Sequence, residues 1–196
     1  MAANLNTGRH RYIHAIGCVT MQWNHLERWL DQLIWSYLEF DHTLGRLITG
    51  RLANVTKTDF LLDLARLNER DQRVVNRVEH AVTCFHICRE NRNIIAHALP
   101  FTFYGRDGWV LAKRSKGDPS RWSRFRLKVS EIKRVQNDIV IADVFLQRLY
   151  LYRFDQWSRK LVMPAGKARP LPKKPLLPRK LNPLPPEALP DDWLPP

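Results

Sequence analysis

Nowhere in its 196 residues does this chain run for about 18 apolar positions without a charge, so no transmembrane helix is expected. Met1 to Arg11 lacks the apolar core of a secretory signal, and no internal repeat points to a solenoid. Cysteine is scarce. Three residues make an odd number, and Cys84 and Cys88 fall on a helical pattern rather than in a disulfide framework, which makes a reducing cytoplasm the expected compartment. Acidic residues are also short, at 19 against 32 lysines and arginines, for a net charge of +13. Such a balance favours polyanionic partners, nucleic acid first and an anionic membrane surface second.

What is present is enough for one ordinary domain and an appendage, with 44% hydrophobic residues and seven tryptophans to bury. Arg9 to Phe40 reads as one long helix, with Ile16, Thr20, Trp23, Leu30, Ile34 and Tyr37 on one face. Glu27 falls on that face too. It is either a carboxylate at the stripe's edge, reaching water, or a partly buried acid paired with Arg89 or Arg92. A polar connection from Asp41 to Thr56 holds a short helical turn at Leu44 to Leu47. The next helix has Thr56 or Thr58 as its N-cap, and Phe60, Leu61, Leu64 and Leu67 as its apolar face. A third pattern runs from Asp71 to Leu99, where Pro100 stops it.

The period then changes. Phe101–Tyr104 and Trp109–Ala112 flank a turn as a β-hairpin, a basic loop follows, and Arg121–Lys128 alternates as a third strand. Ser130 with Glu131 caps a last helix, through Ile132, Val135, Ile139, Val144, Leu146 and Leu149 to about Trp157. Eleven of the thirteen prolines lie from Pro164 onward, among lysines and arginines. That segment cannot build a core, and is expected to be extended, polyproline-like or disordered. The expected architecture is all-α, an up-and-down helical bundle over residues 1–163 with a small β insertion at about 101–128, followed by a basic tail at 164–196. The tail's Pro-x-x-Pro spacings arise by chance in so proline-dense a stretch, so a plain basic tail is the expected reading.

The third helix carries the chemistry. Val78, Ala81, Phe85, Cys88, Arg92 and Ile95 share a face, which sends an arginine into a packed surface at a cost that packing alone does not explain. Asn93 and His97 lie four apart on one line, about 100° round from Arg92, within reach of its guanidinium. All three side chains can meet one anion. Arginine holds phosphate bidentately, histidine moves a proton near neutral pH, and asparagine orients either. Those are the parts of metal-independent RNA cleavage, so no metal and no cofactor are expected. His80, Cys84 and Cys88 span about two turns, too far for one tetrahedral ion, and read as structural.

Arg92-Asn93-Ile94-Ile95-Ala96-His97 resembles the signature of the HEPN superfamily, an arginine, a polar residue and a histidine four to six positions on, near the end of a long helix. Trp23, Leu26 and Glu27 are similar to that family's opening helix. The resemblance covers about Arg9 to Leu99 and the last helix. It implies a helical bundle whose homodimer joins two motifs across a cleft, often as a ribonuclease, with a cognate antitoxin or regulatory protein in some settings and host defence in others. Arg92, Asn93 and His97 are its implied catalytic positions, and the reading of the helix faces adds Glu27 as the expected brace for Arg92. Leu99 stands where a subgroup has tyrosine, so that subgroup's nucleotide-modification control is not implied.

The β insertion carries eight basic residues against two acidic ones. Arg106, Lys113, Arg114, Lys116, Arg121, Arg124 and Arg126, interleaved with Trp109 and Trp122, form a surface for single-stranded RNA, with cations tracking phosphates and rings stacking bases. The plainer reading has the aromatics facing the helices and the arginines facing water. The competing function is a non-catalytic RNA-binding or dimeric interaction module on the same bundle. A basic membrane-surface protein is a third class, and no membrane partner is expected.

Overall fold

Apolar residues recurring every three to four positions wind the first part of the chain into one long helix, α1 (Ala2–Leu38). The structure is a computed structural model that describes residues 2–39, 41–97, 99–103, 109–114, 122–161 and 169–185. After α1 come α2 (His42–Thr49), α3 (Asn54–Asn68) and α4 (Gln72–His97), then three strands, and finally α5 (Val129–Leu161). The strands β1 (Leu99–Phe103), β2 (Trp109–Arg114) and β3 (Trp122–Leu127) form one antiparallel sheet in the order β1-β2-β3. The class is the expected one, a helical bundle with a small sheet before the last helix. No described helix is long and apolar enough to cross a membrane.

The chain divides into two compact units, and α1, α4 and α5 each contribute to both. The first comprises Met1–Met21, Ile87–Asp138 and Arg179–Pro196, and the second Gln22–His86 and Ile139–Pro178. In the second unit Trp23, Leu26, Leu30 and Ile34 of α1 are buried, as are Leu61 of α3, Val78 and Phe85 of α4, and Ile139 and Leu146 of α5. The Trp23 and Phe85 rings lie 4.8 Å apart, a tilted pair of the kind aromatic cores favour. Gly45 on α2 lets the Trp35 ring come close, since a Cβ there would sit 2.5 Å from it. In the first unit Tyr12, Ala15 and Val19 are buried, with Cys88, Ile94, Ile95, Val110, Phe125, Leu127, Ile132 and Val135. Cys84 and Cys88 are buried and not in a disulfide.

Several expected faces are rotated by a residue or so. On α1 the buried line runs through Val19 and Leu26, leaving Thr20 and Glu27 half-buried at its margin. α3 starts at Asn54 without a side-chain cap, and its buried face is Lys57, Thr58, Leu61, Leu64 and Ala65. Leu67 is exposed, while Thr58 is buried and turns its hydroxyl back onto the Asn54 and Val55 carbonyls. Lys57 follows it inward and is held by Asp31 at 2.8 Å. Burial raises the Asp31 carboxyl above its ordinary range, against the pull of Lys57.

On α5, Ala142 and Phe145 take the buried line and Val144 faces out. That helix begins one residue before Ser130, so Lys128 is the N-cap and Glu131 the residue that reaches back to it. Its carboxylate accepts the Lys128 backbone N–H at 3.0 Å, half of a capping box. Pro100 does not merely stop α4. It sits inside β1, an edge strand with an irregularity between Pro100 and Thr102, where a missing N–H is tolerated.

Candidate functional site

The last turn and a half of α4, in the first unit, brings Arg92, Asn93 and His97 together. Helical geometry separates Arg92 from the other two, and the guanidinium crosses that gap. Its Nη1 donates to Asn93 Oδ1 at 3.2 Å and approaches His97 Nε2 at 2.9 Å. A guanidinium only donates, so Nε2 is the acceptor here and the imidazole proton sits on Nδ1. Arg92 and Asn93 are half-buried and His97 is exposed. The cluster also lies at a helix C-terminus, where unpaired carbonyls favour a nearby cation. Chemically it offers a fixed positive charge, an imidazole with one open ring nitrogen, and an amide that holds the arginine's angle.

Glu27, the expected brace for Arg92, belongs to the second unit, and the partner the structure gives it there is the Asn54 side-chain amide. Arg89, the other partner expected for Glu27, is half-buried. Asn91 has a contact of its own. It is 1% exposed, and its amide reads the backbone of the proline-rich segment, donating to the Arg179 carbonyl at 2.9 Å and accepting the Leu181 N–H at 2.8 Å.

Chemistry of comparable precision holds the rest of residues 169–185, an extended strap. In the second unit Arg77 Nε donates to the Pro172 carbonyl at 3.2 Å, and His80 Nε2 to the Pro175 carbonyl at 2.8 Å. In the first, Arg134 Nη1 donates to the Arg179 carbonyl at 3.0 Å while pairing with Asp138 at 2.8 Å. Burial raises the Asp138 carboxyl despite Arg134 beside it. The Leu184 N–H meets the Arg124 carbonyl on edge strand β3 at 2.7 Å. Along the strap Pro172, Pro178 and Leu181 are buried, Pro175 and Leu184 half-buried, and the residues between are largely exposed. That three-residue period is the polyproline II repeat, with one face turned inward. Over these residues the tail is extended and bound.

Of the residues assigned to RNA contact, β3 places Trp122, Arg124 and Arg126 on one face, opposite the buried Phe125 and Leu127. Antiparallel register sets Arg124 across from Ala112 and Arg126 across from Val110. Burial pushes the Arg124 guanidinium below its ordinary value. Lys113, Arg114 and Trp109 are on β2, with Lys113 half-buried. Arg106, Lys116 and Arg121 lie outside the described residues. Among the described residues no group of three or more His, Cys, Asp or Glu is placed to hold a metal ion.

Compared with protein-family models, curated proteins and solved structures, the chain matches none. The function therefore rests on the residues themselves. The strap's seat went unread in the sequence, although one signal was there, the prolines and leucines at intervals of three from Pro172 to Leu184.

Proposed function

We propose that the chain is a metal-independent endoribonuclease of HEPN type, acting on RNA in the cytoplasm. Toxin–antitoxin or host-defence settings suit such an enzyme, and a second protomer would complete the site. The observation that carries this reading is the single guanidinium nitrogen of Arg92 within hydrogen-bonding distance of both Asn93 and His97. In the reaction the ribose 2′-oxygen bonds to the neighbouring phosphorus as the bond to the 5′-oxygen breaks. His97 takes the attacking hydroxyl's proton or supplies the leaving oxygen's, and Arg92 stabilises charge on the phosphoryl oxygens. A phosphate that engages Arg92 releases His97 Nε2 for that proton. Asn93 keeps the guanidinium turned toward the histidine. Arg124, Arg126 and Trp122 on β3 supply phosphate and base contacts.

The observation that favours a non-catalytic interaction module is the same bond read differently, since Arg92 and His97 already satisfy one another. Cleavage of labelled RNA in EDTA separates the two readings. His97→Ala, matched to wild type by circular dichroism, is expected to lose about a hundredfold or more of the rate. Equal cleavage by both proteins would end the catalytic assignment.

A further inference from the structure

The second unit holds a groove that the nuclease reading does not use. It is a half-open cleft of about 490 Å³, within the range of pockets that take a sizeable ligand. Tyr150, Phe154 and Trp157 line one side as a ladder along α5, and Trp35 of α1 lines the other. The Tyr150 and Phe154 rings stack 6.1 Å apart, Phe154 and Trp157 follow at 5.9 Å, and Phe154 remains 47% exposed. At the rim stand two carboxylates, Glu39 and Asp41, on a chain whose net charge is +13. Asp41 is occupied in capping α2. Glu39 has no such task, and it holds a backbone φ of 54°, a conformation in which glycine is the usual residue. A carboxylate stands where the backbone favours glycine.

Aromatic ladders of this kind accept polyproline II segments, whose rigid form costs little entropy on binding, and carboxylates beside them select basic ones. The chain carries such a segment. The strap's inward face is spent on its own seat at Arg77 and His80, and none of its residues lines the groove. Its outward faces are free to engage elsewhere. Leu176 is 93% exposed and Leu177 52% exposed, and Lys173 and Lys174 are exposed as well. The three-residue period sets Lys173 with Leu176 on one face and Lys174 with Leu177 on the next. A leucine flanked by a lysine matches an aromatic floor with an acidic rim.

We propose that the groove docks the outward face of the strap from a second copy of this chain. Leu176 enters between the α5 ladder and Trp35, and Lys173 or Lys174 meets Glu39. Single-stranded RNA stacking on the same rings would set its phosphates against Glu39 and Asp41, so charge disfavours it. Nothing in this proposal depends on the arginine–histidine cluster, and His97→Ala is expected to associate as wild type does.

The test is sedimentation velocity on the full chain over a concentration series. Wild type is expected to self-associate reversibly, and Leu176→Glu and Glu39→Lys each to weaken association by about tenfold or more. A Glu39→Lys chain mixed with a Lys173→Glu/Lys174→Glu chain is expected to regain association through the exchanged charges. A synthetic peptide of residues 171–180 is expected to perturb tryptophan fluorescence in wild type and not in Phe154→Ala. Wild-type association unchanged by either single variant would overturn the proposal. So would a protein monomeric at every concentration, or a groove protected by an RNA oligonucleotide and not by the peptide.

Discussion

At the scale of single residues, Glu39 and Asn91 show how little of a side chain's worth is visible in its type. Glu39 ends α1 at φ 54°, where a Cβ costs on the order of 1 kcal/mol that glycine avoids. Glu39→Gly is therefore expected to raise stability by about 1 kcal/mol in urea denaturation. On the reading of the groove given above, it should weaken self-association at the same time. A variant that gains stability and keeps full association would leave Glu39 as a mere backbone accident. Asn91 makes the opposite case. Its neighbour Arg92 stood out from the sequence because a charge on an apolar stripe has to be explained. Asn91 did not, because a neutral amide one position away is unremarkable until the chain that it binds is in place. The Arg92, Asn93 and His97 cluster was legible for a local reason, since helix geometry alone brings residues one and five positions on within reach of a long side chain.

At the scale of elements, legibility followed how local the controlling physics is. Helices and strands emerged close to their expected bounds because the periods of 3.6 and 2 and the proline stops are written within each segment. Which face of a helix is buried was less legible, since neighbours decide it. Thr58 is fully buried because its hydroxyl bonds within its own helix, and Lys57 is buried because Asp31 waits for it. The strap was the least legible. Its composition excludes a core of its own and says nothing about the side chains that seat it, Arg77 and His80 in the second unit, Asn91 and Arg134 in the first. The seat reads main-chain atoms, so the prolines matter for rigidity and for the inward face rather than as letters of a motif. Asn91→Ala leaves the Leu181 N–H without its buried acceptor and removes one of two donors to the Arg179 carbonyl. The expected cost is about 2 kcal/mol. Hydrogen exchange at Leu181 and Leu184 should accelerate well beyond that at amides of central α4. Unchanged exchange at both would show that the strap is held by something other than this amide.

At the scale of the whole molecule, a net charge of +13 says more about partners than about stability, because most of the lysines and arginines among the described residues are exposed. Among the groups that tie stability to pH are two buried phenols, one in each unit. Burial pushes the Tyr12 hydroxyl up to about 12. Burial also raises Tyr37, helped by the Glu69 carboxylate beside it and opposed by Arg153, whose guanidinium lies 4.7 Å above the ring. An unfolded tyrosine ionises near pH 10. Between that pH and the folded value the unfolded chain sheds a proton that the folded chain keeps, so stability is fully present below about pH 10 and falls as pH rises through the window. For Tyr12 the loss is on the order of 2 kcal/mol by the upper end of that range. Urea midpoints measured at pH 9 and pH 11.5 should therefore drop more for wild type than for Tyr12→Phe, which has no proton to lose there. Phenolate absorbance on titrating the folded protein should show at least two tyrosines ionising late. If wild type and Tyr12→Phe lose stability in parallel, Tyr12 is more hydrated than its burial implies, and the alkaline limit of the fold is set by its lysines instead.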